Sequence, residues 1–245
     1  MPSLCMLEVN NFISMHEFEL FQDRHDAGQR LALALYHYAG RADLLVLALP
    51  RGGVPVACPI AQALHAELDL MLVRKLGLPH QPEFAMGAVG SGGICVLQPG
   101  VPGLMGVTQA EVDAVSRREQ AELARRERHY RGARPAPALA GRCVILVDDG
   151  VATGATMLAA IAVARRQQPA RLVVAVPVAA PDTLRRLEGL VDEVVCLASP
   201  ARFRSVGEWF GRFGQTADDE VLLLLEQAWA PAPDAASLQQ PKEPL

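Results

Sequence analysis

Two adjacent carboxylates, Asp148 and Asp149, stand between an apolar run and a turn of small and hydroxylated residues: Val144-Ile145-Leu146-Val147-Asp148-Asp149-Gly150-Val151-Ala152-Thr153-Gly154-Ala155-Thr156. The four apolar residues predict a buried strand that delivers both acids to its carboxyl end. Two carboxylates in such a place are costly unless cations or hydroxyls meet them. The turn then supplies Gly150 and Gly154 before a helix, whose first amides form an anion site that the hydroxyls of Thr153 and Thr156 can extend. A phosphate in the turn, with hydroxyls one strand-end away needing acceptors, is the chemistry of a sugar phosphate. The segment is not a Walker loop, because Ala155 stands where that motif requires lysine, and glycines spaced four apart do not make GxGxxG.

A second place of the same kind is Pro50-Arg51-Gly52-Gly53. It follows the apolar run Leu44–Leu49 and leads into a predicted helix from about Pro55 to Ala66. Backbone amides again fall at the end of a strand, with Arg51 adding charge and Gly52 permitting close backbone approach. Arg74 and Lys75 end the next predicted strand, Leu68–Val73. Of the 23 lysines and arginines only Lys75 and Lys242 are lysines. Lys75 in so arginine-rich a chain suggests a point charge where a planar fork would not serve.

The elements that must position these residues alternate. After a helix from Asp23 to Tyr38 come the two strands just named, then a Gly/Pro-rich stretch over 77–107 with a small hairpin around Gly90–Gly93. Thr108 caps a long helix to about Tyr130, and Arg134–Ala140 is a linker. The strand Cys143–Val147, a helix Thr156–Gln167, a strand Leu172–Val178, a helix from Pro181, a strand Glu193–Leu197 and a helix Ala217–Ala230 complete the series. Strands alternating with helices predict an α/β fold with a right-handed parallel sheet. Ligands bind such sheets at the carboxyl ends of the strands, where the acids and both glycine turns fall.

The 13-residue segment resembles the signature of the type I phosphoribosyltransferases: four apolar residues, two acidic, then a small, Thr/Gly-rich phosphate loop. The order of segments from about Phe21 to Leu225 also resembles a bacterial branch of that family. The resemblance implies a parallel-sheet, Rossmann-like phosphoribosyltransferase fold with a small hood and a mobile lid loop. It divides the chain into an N-terminal extension (1–20), a phosphoribosyltransferase domain (21–230) and a disordered tail (231–245). Hood and lid fall at about 77–107 plus a C-terminal part at about 199–216.

Carried over position by position, the resemblance assigns phosphoribosyl pyrophosphate as donor and a nitrogen compound such as a nucleobase as acceptor. Asp148 and Asp149 would bind the ribose hydroxyls, with Gly150 beside them, and Ala152, Thr153, Gly154, Ala155 and Thr156 would hold the 5-phosphate. Arg51, Gly52, Arg74 and Lys75 would hold pyrophosphate, the family's loop often containing a non-proline cis peptide beside its glycine. Mg²⁺ would bridge pyrophosphate and ribose hydroxyls, with Asp148 and Asp149 as candidate metal contacts. Asp148, Asp149 and Lys75 are the candidates for transition-state support. The sequence departs from hypoxanthine-type members, whose loop carries an aspartate where this chain has Ala152. No general base is therefore named, and a non-catalytic donor-sensing regulator, with RNA as a partner, stands as the alternative.

Acceptor choice falls to the hood, where Phe203, Trp209 and Phe210 concentrate aromatics in a chain with only 5% of them. Each can stack on a base or anchor the segment to the core. His80 and Glu83 lie on the Gly/Pro-rich stretch within reach of a substrate, or simply at its surface. The long helix carries Arg117, Arg118, Arg125, Arg126 and Arg128. A solvated face or a homodimer contact is its plain reading, because no aromatic set interleaves with the arginines as nucleic-acid binding would need. A net charge of −4 argues against a broadly basic coat for nucleic acid or membranes. The five cysteines show no CxxC spacing or Cys/His cluster and fit a reducing compartment. The longest uncharged run, Phe84–Ala110, is broken by seven glycines and two prolines and is no membrane helix. The expectation is a cytoplasmic protein without a secretory leader.

Overall fold

The computed structural model describes residues 20–230. The expected N-terminal extension, save its last residue, and the expected disordered tail lie outside the described residues. Helix α1 (Arg24–Ala34) starts where Asp23 accepts the Asp26 amide at 3.0 Å, and a short 3₁₀ turn, Tyr36–Tyr38, completes the expected helical stretch. The order then runs β1 (Leu44–Ala48), α2 (Gly53–Leu64), β2 (Glu67–Leu70), β3 (Val73–Leu78), β4 (Gln81–Gly90), β5 (Ile94–Leu97) and α3 (Val101–Leu104). There follow α4 (Gln109–Arg131), β6 (Cys143–Val147), α5 (Ala155–Arg166), β7 (Arg171–Val178), α6 (Pro181–Glu188), β8 (Glu193–Ala198) and α7 (Asp218–Trp229). The cap expected at Thr108 is present, and Glu111 closes it into a capping box.

Five strands pair in parallel in the order β2-β1-β6-β7-β8. β1 and β6 are buried at every residue, as continuous apolar runs in a sheet covered on both faces should be. Leu31, Val56, Ile60 and Leu225 cover one face through Val46 and Ile145. Met157, Ile161 and Leu187 cover the other through Leu45, Leu47, Val144 and Leu146. The register Ala48↔Val147 ends β1 and β6 side by side, so the loops that leave them are neighbours.

A separate antiparallel sheet, β3-β4-β5, sits beside the main one. Its Leu76, Leu78, Met86 and Val89 pack on Val112 and Val115 of α4. This changes the reading of residues 68–75. The apolar run predicts one strand ending at Arg74 and Lys75. In the structure β2 stops at Leu70, and Val73 opens β3 of the other sheet, so both basic residues begin a strand of the small sheet. Most of the Gly/Pro-rich stretch is likewise strand. Gly77 and Gly87 sit where a Cβ would lie 2.4 Å from the Pro82 carbonyl and 2.3 Å from the Val96 carbonyl, a close approach of backbones rather than a loop signal. Among the described residues, no helix is long and apolar enough to cross a membrane.

Candidate functional site

The loop after β1 and the loop after β6 meet. The peptide joining Pro50 to Arg51 is cis. Leu49 donates its amide to Val147 O at 2.8 Å, which ties the first loop to the end of β6. A Cβ on Gly52 would lie 2.0 Å from Asp149 Oδ2, and one on Gly53 would lie 2.6 Å from Val147 O. A side chain at Gly53 would meet backbone, and one at Gly52 would have to displace the Asp149 carboxylate, which stands directly against the Arg51-Gly52 turn.

The second loop turns through Gly154, whose φ of 75° suits glycine, straight into α5. Leu158 is the first amide here to reach a carbonyl, that of Gly154 at 2.8 Å. The amides of Ala155, Thr156 and Met157 therefore point out of the helix start, where an anion is favoured. Ala152, Thr153, Ala155 and Thr156 are all exposed. The loop is held from behind by Thr183 of α6, whose hydroxyl donates to Ala152 O at 2.6 Å. Sequence reasoning gave no sign of Thr183, because the contact joins two elements with no shared motif.

The acidic pair carries the site's electrostatic cost. Burial, and then the neighbouring Asp149 charge, raise the Asp148 carboxyl well above its ordinary range. Burial also raises Asp149, opposed by Arg24. Arg24, the first residue of α1, points both Nε (2.8 Å) and Nη2 (2.7 Å) at Asp149 Oδ2. Its Nη1 donates to Gly214 O at 2.7 Å, and its guanidinium lies 4.0 Å over the Phe213 ring. Arg24 is a site residue that the sequence did not announce, since its partner lies far along the chain.

The basic candidates are arranged unequally. Arg51 is partly exposed, 3.9 Å from Asp218 at the start of α7. Lys75 Nζ donates to Glu83 O at 3.1 Å, with the exposed Glu83 carboxylate 3.7 Å away. Arg74 is held by Glu119 through Nε at 2.9 Å and Nη2 at 2.7 Å. A cavity of about 550 Å³ brings Pro50, Arg74, Lys75, Ala155 and Thr156 to one space, walled by Leu78, Pro79 and Pro82 of the β3–β4 hairpin. Asp148 and Asp149 are not in its lining. His80 turns to Glu111 of α4, at 3.7 Å.

Phe203, Trp209 and Phe210 are not in the lining of that cavity. Phe210 is buried, with its ring 5.3 Å from that of Phe21 and 4.9 Å from that of Phe213. Phe203, Val206 and Trp209 pack on the same cluster, which includes Val178 and Ala198. This cluster anchors the segment after β8, and Val206 reaches the second loop: a Cβ on Gly150 would lie 2.5 Å from Val206 Cγ1.

A family model described as a phosphoribosyl transferase domain matches residues 18–208. Proteins from two Mycobacterium tuberculosis strains, provisionally named phosphoribosyl transferases, are each 46% identical over 226 residues. That covers 92% of this chain and 51% of each relative, so the chain spans about half the length of the curated relatives it matches. A crystal structure from Thermus thermophilus is 46% identical with a TM-score of 0.79, covering 86% of this chain and all of that one.

Proposed function

The chain belongs to the phosphoribosyl transferase family, and on that premise we propose that it transfers a phosphoribosyl group from phosphoribosyl pyrophosphate to a nitrogen nucleophile such as a nucleobase. The observation that carries this reading is the contact between the two loops. Asp149 Oδ2 stands against Gly52, so acceptors for ribose hydroxyls and amides for pyrophosphate share one wall. The 5-phosphate falls to the open amides at the start of α5, in the same loop that carries the acids. Asp148 and Asp149 accept from the ribose hydroxyls, and Arg51, the Gly52 amide and Lys75 hold pyrophosphate.

The reaction breaks the bond from the anomeric carbon to the pyrophosphate oxygen and forms one to the incoming nitrogen. The electron pair leaves with pyrophosphate, and the nitrogen loses a proton. Positive charge builds on the sugar as the bond breaks, as in glycoside hydrolysis. The matching negative charge grows on the leaving group, where Arg51 and Lys75 meet it. The hairpin residues Leu78, Pro79 and Pro82 wall the cavity that Lys75 and Thr156 line. Ala152 leaves the phosphate loop without a titratable side chain, so the proton's acceptor is not a residue of that loop.

The donor set fits Mg²⁺. Two neighbouring carboxylates with raised pKa values, only one of them paired with arginine, favour an added cation. Among the described residues no group of three or more His, Cys, Asp or Glu could hold a metal without help. Mg²⁺ is commonly held by one or two carboxylates together with substrate phosphates. Asp148 and Asp149 would hold it beside the donor, where it would neutralise charge on pyrophosphate and polarise the ribose hydroxyls.

The test is pyrophosphate release from phosphoribosyl pyrophosphate and Mg²⁺ across a panel of nucleobases and other nitrogen compounds. The expected result is release with one acceptor, together with its ribosylated product. Donor binding without release for any acceptor would favour the donor-sensing regulator instead.

A further inference from the structure

Helix α4 carries two glutamates that each serve two arginines. Glu119 accepts from Arg74 (2.9 Å) and Arg118 (3.0 Å), and Glu122 accepts from Arg125 (2.8 and 2.9 Å) and Arg126 (3.0 Å). Each set keeps one uncompensated positive charge, so the helix is not a neutral face of matched ion pairs. The two arginines on Glu122 are also unlike. Arg125 is well exposed and engages Glu122 with both Nε and Nη2. Arg126 gives only its Nε to Glu122, and among the described residues its two Nη nitrogens make no hydrogen bond.

Arg126 also stands where an anion would be. It lines the 550 Å³ cavity together with Pro50, Lys75 and Thr156, and it borders with Pro50 and Thr156 a much smaller, mainly apolar gap that reaches Met71 and Leu123. One helical turn on, on the same face, Tyr130 donates its hydroxyl to Asp218, the carboxylate that Arg51 approaches. This face of α4 is therefore turned toward the first loop. An arginine with a free pair of parallel donors suits the oxygens of a phosphate group better than a point charge does.

We propose that Arg126 is a further binding residue of the donor site, its two free Nη groups taking oxygens of the pyrophosphate end between the Pro50 and Thr156 loops. The inference rests on the donor-site reading above and adds to it a residue from outside both loops. Arg51 and Arg126 then approach pyrophosphate from separate elements, and Lys75 from the small sheet. Glu122 holds the Arg126 stem in place by its Nε and leaves the rest of the fork outward. Arg74 and Arg118, both turned to Glu119, line the same cavity.

The experiment titrates inorganic pyrophosphate with Mg²⁺, and separately ribose 5-phosphate, into the full chain and two variants by calorimetry. Arg126→Gln should weaken pyrophosphate binding about tenfold or more, the loss expected for a charge-assisted hydrogen bond. Ribose 5-phosphate should bind as in the parent. Arg128→Gln removes the same charge from an exposed position on the same helix and should leave both affinities within about twofold, since an exposed charge outside the site is largely screened. Equal pyrophosphate affinity in the Arg126 and Arg128 variants would overturn the inference. An equal loss of both ligands in Arg126→Gln would also overturn it, as damage to the site at large. If the parent binds neither probe, the donor-site reading itself fails and takes this inference with it.

Discussion

The loop after β1 and the loop after β6 leave adjacent parallel strands, and each passes through glycine into a helix. One carries Arg51 and the other carries Asp148 and Asp149. The basic loop is at ease without ligand, because Arg51 is partly exposed and approaches Asp218 at a distance a ligand could easily replace. The acidic loop is not. Its carboxylates are pressed together in a partly buried place, and Arg24 grips only Asp149. In the proposed function the first loop would exchange one weak partner for another, whereas the second would gain hydroxyls and a cation that relieve the cost of its buried carboxylates.

The strongest break in that comparison is removal of both acids. Asp148→Asn with Asp149→Asn should weaken donor binding by about a hundredfold or more, the loss of two hydrogen bonds to charged groups. Calorimetric titration of phosphoribosyl pyrophosphate checks this, with a retained thermal transition to show that the fold survives. Unchanged donor affinity would remove the acidic loop from the site.

Next comes the contact between the loops. Gly52→Ala places a Cβ 2.0 Å from Asp149 Oδ2, so either the Asp149 carboxylate leaves its bond to Arg24 or the two loops separate. Overpacking of this kind costs about 1–3 kcal/mol. A fall in melting temperature together with a tenfold or larger fall in donor affinity is the expected pair of results.

Arg24→Ala sharpens the comparison from the other side. It leaves the mostly buried Asp149 facing Asp148 with no cation, at a cost of about 1–3 kcal/mol. Urea unfolding at pH 7 should register the loss, while Arg51→Ala, on the more exposed pair, should cost well under that.

The smallest effect has the opposite sign. Because the Asp148 carboxyl is raised in the folded protein, the folded state holds a proton that the unfolded chain has released. Its contribution is lost as pH rises above the unfolded value of about 3.9 and through the folded one. Asp148→Asn should therefore raise the melting temperature at pH 7 by about 2–4 °C, the shift that ~1 kcal/mol gives in a chain of this length. The gain should vanish near pH 4, where the parent's own carboxyl is protonated.

The main sheet and the acidic loop were legible because their signals are local. A buried parallel strand is a continuous apolar run, and the residues from Val144 to Thr156 contain strand, acids, turn and helix start without outside help. The small sheet was legible only in its hairpin around Gly90–Gly93, for two physical reasons. Its first strand begins inside the apolar run Leu68–Val73, where periodicity cannot mark a change of sheet, and its glycines serve close backbone contacts that composition reads as loop. Arg24, Thr183 and Arg126 were hidden differently. Arg24 and Thr183 act through partners on other elements, whereas Arg126 is one of several arginines on a charged helix and differs in that only its Nε is taken, by Glu122 of the same helix.

The measurement that tests the account most directly compares the whole donor with its two ends. Phosphoribosyl pyrophosphate, ribose 5-phosphate and inorganic pyrophosphate are titrated separately into the protein with Mg²⁺. If both loops hold one ligand at once, the intact donor binds far more tightly than either fragment, because the second contact is made within a complex already formed. An intact donor that binds no better than ribose 5-phosphate alone would contradict a site shared by the two loops.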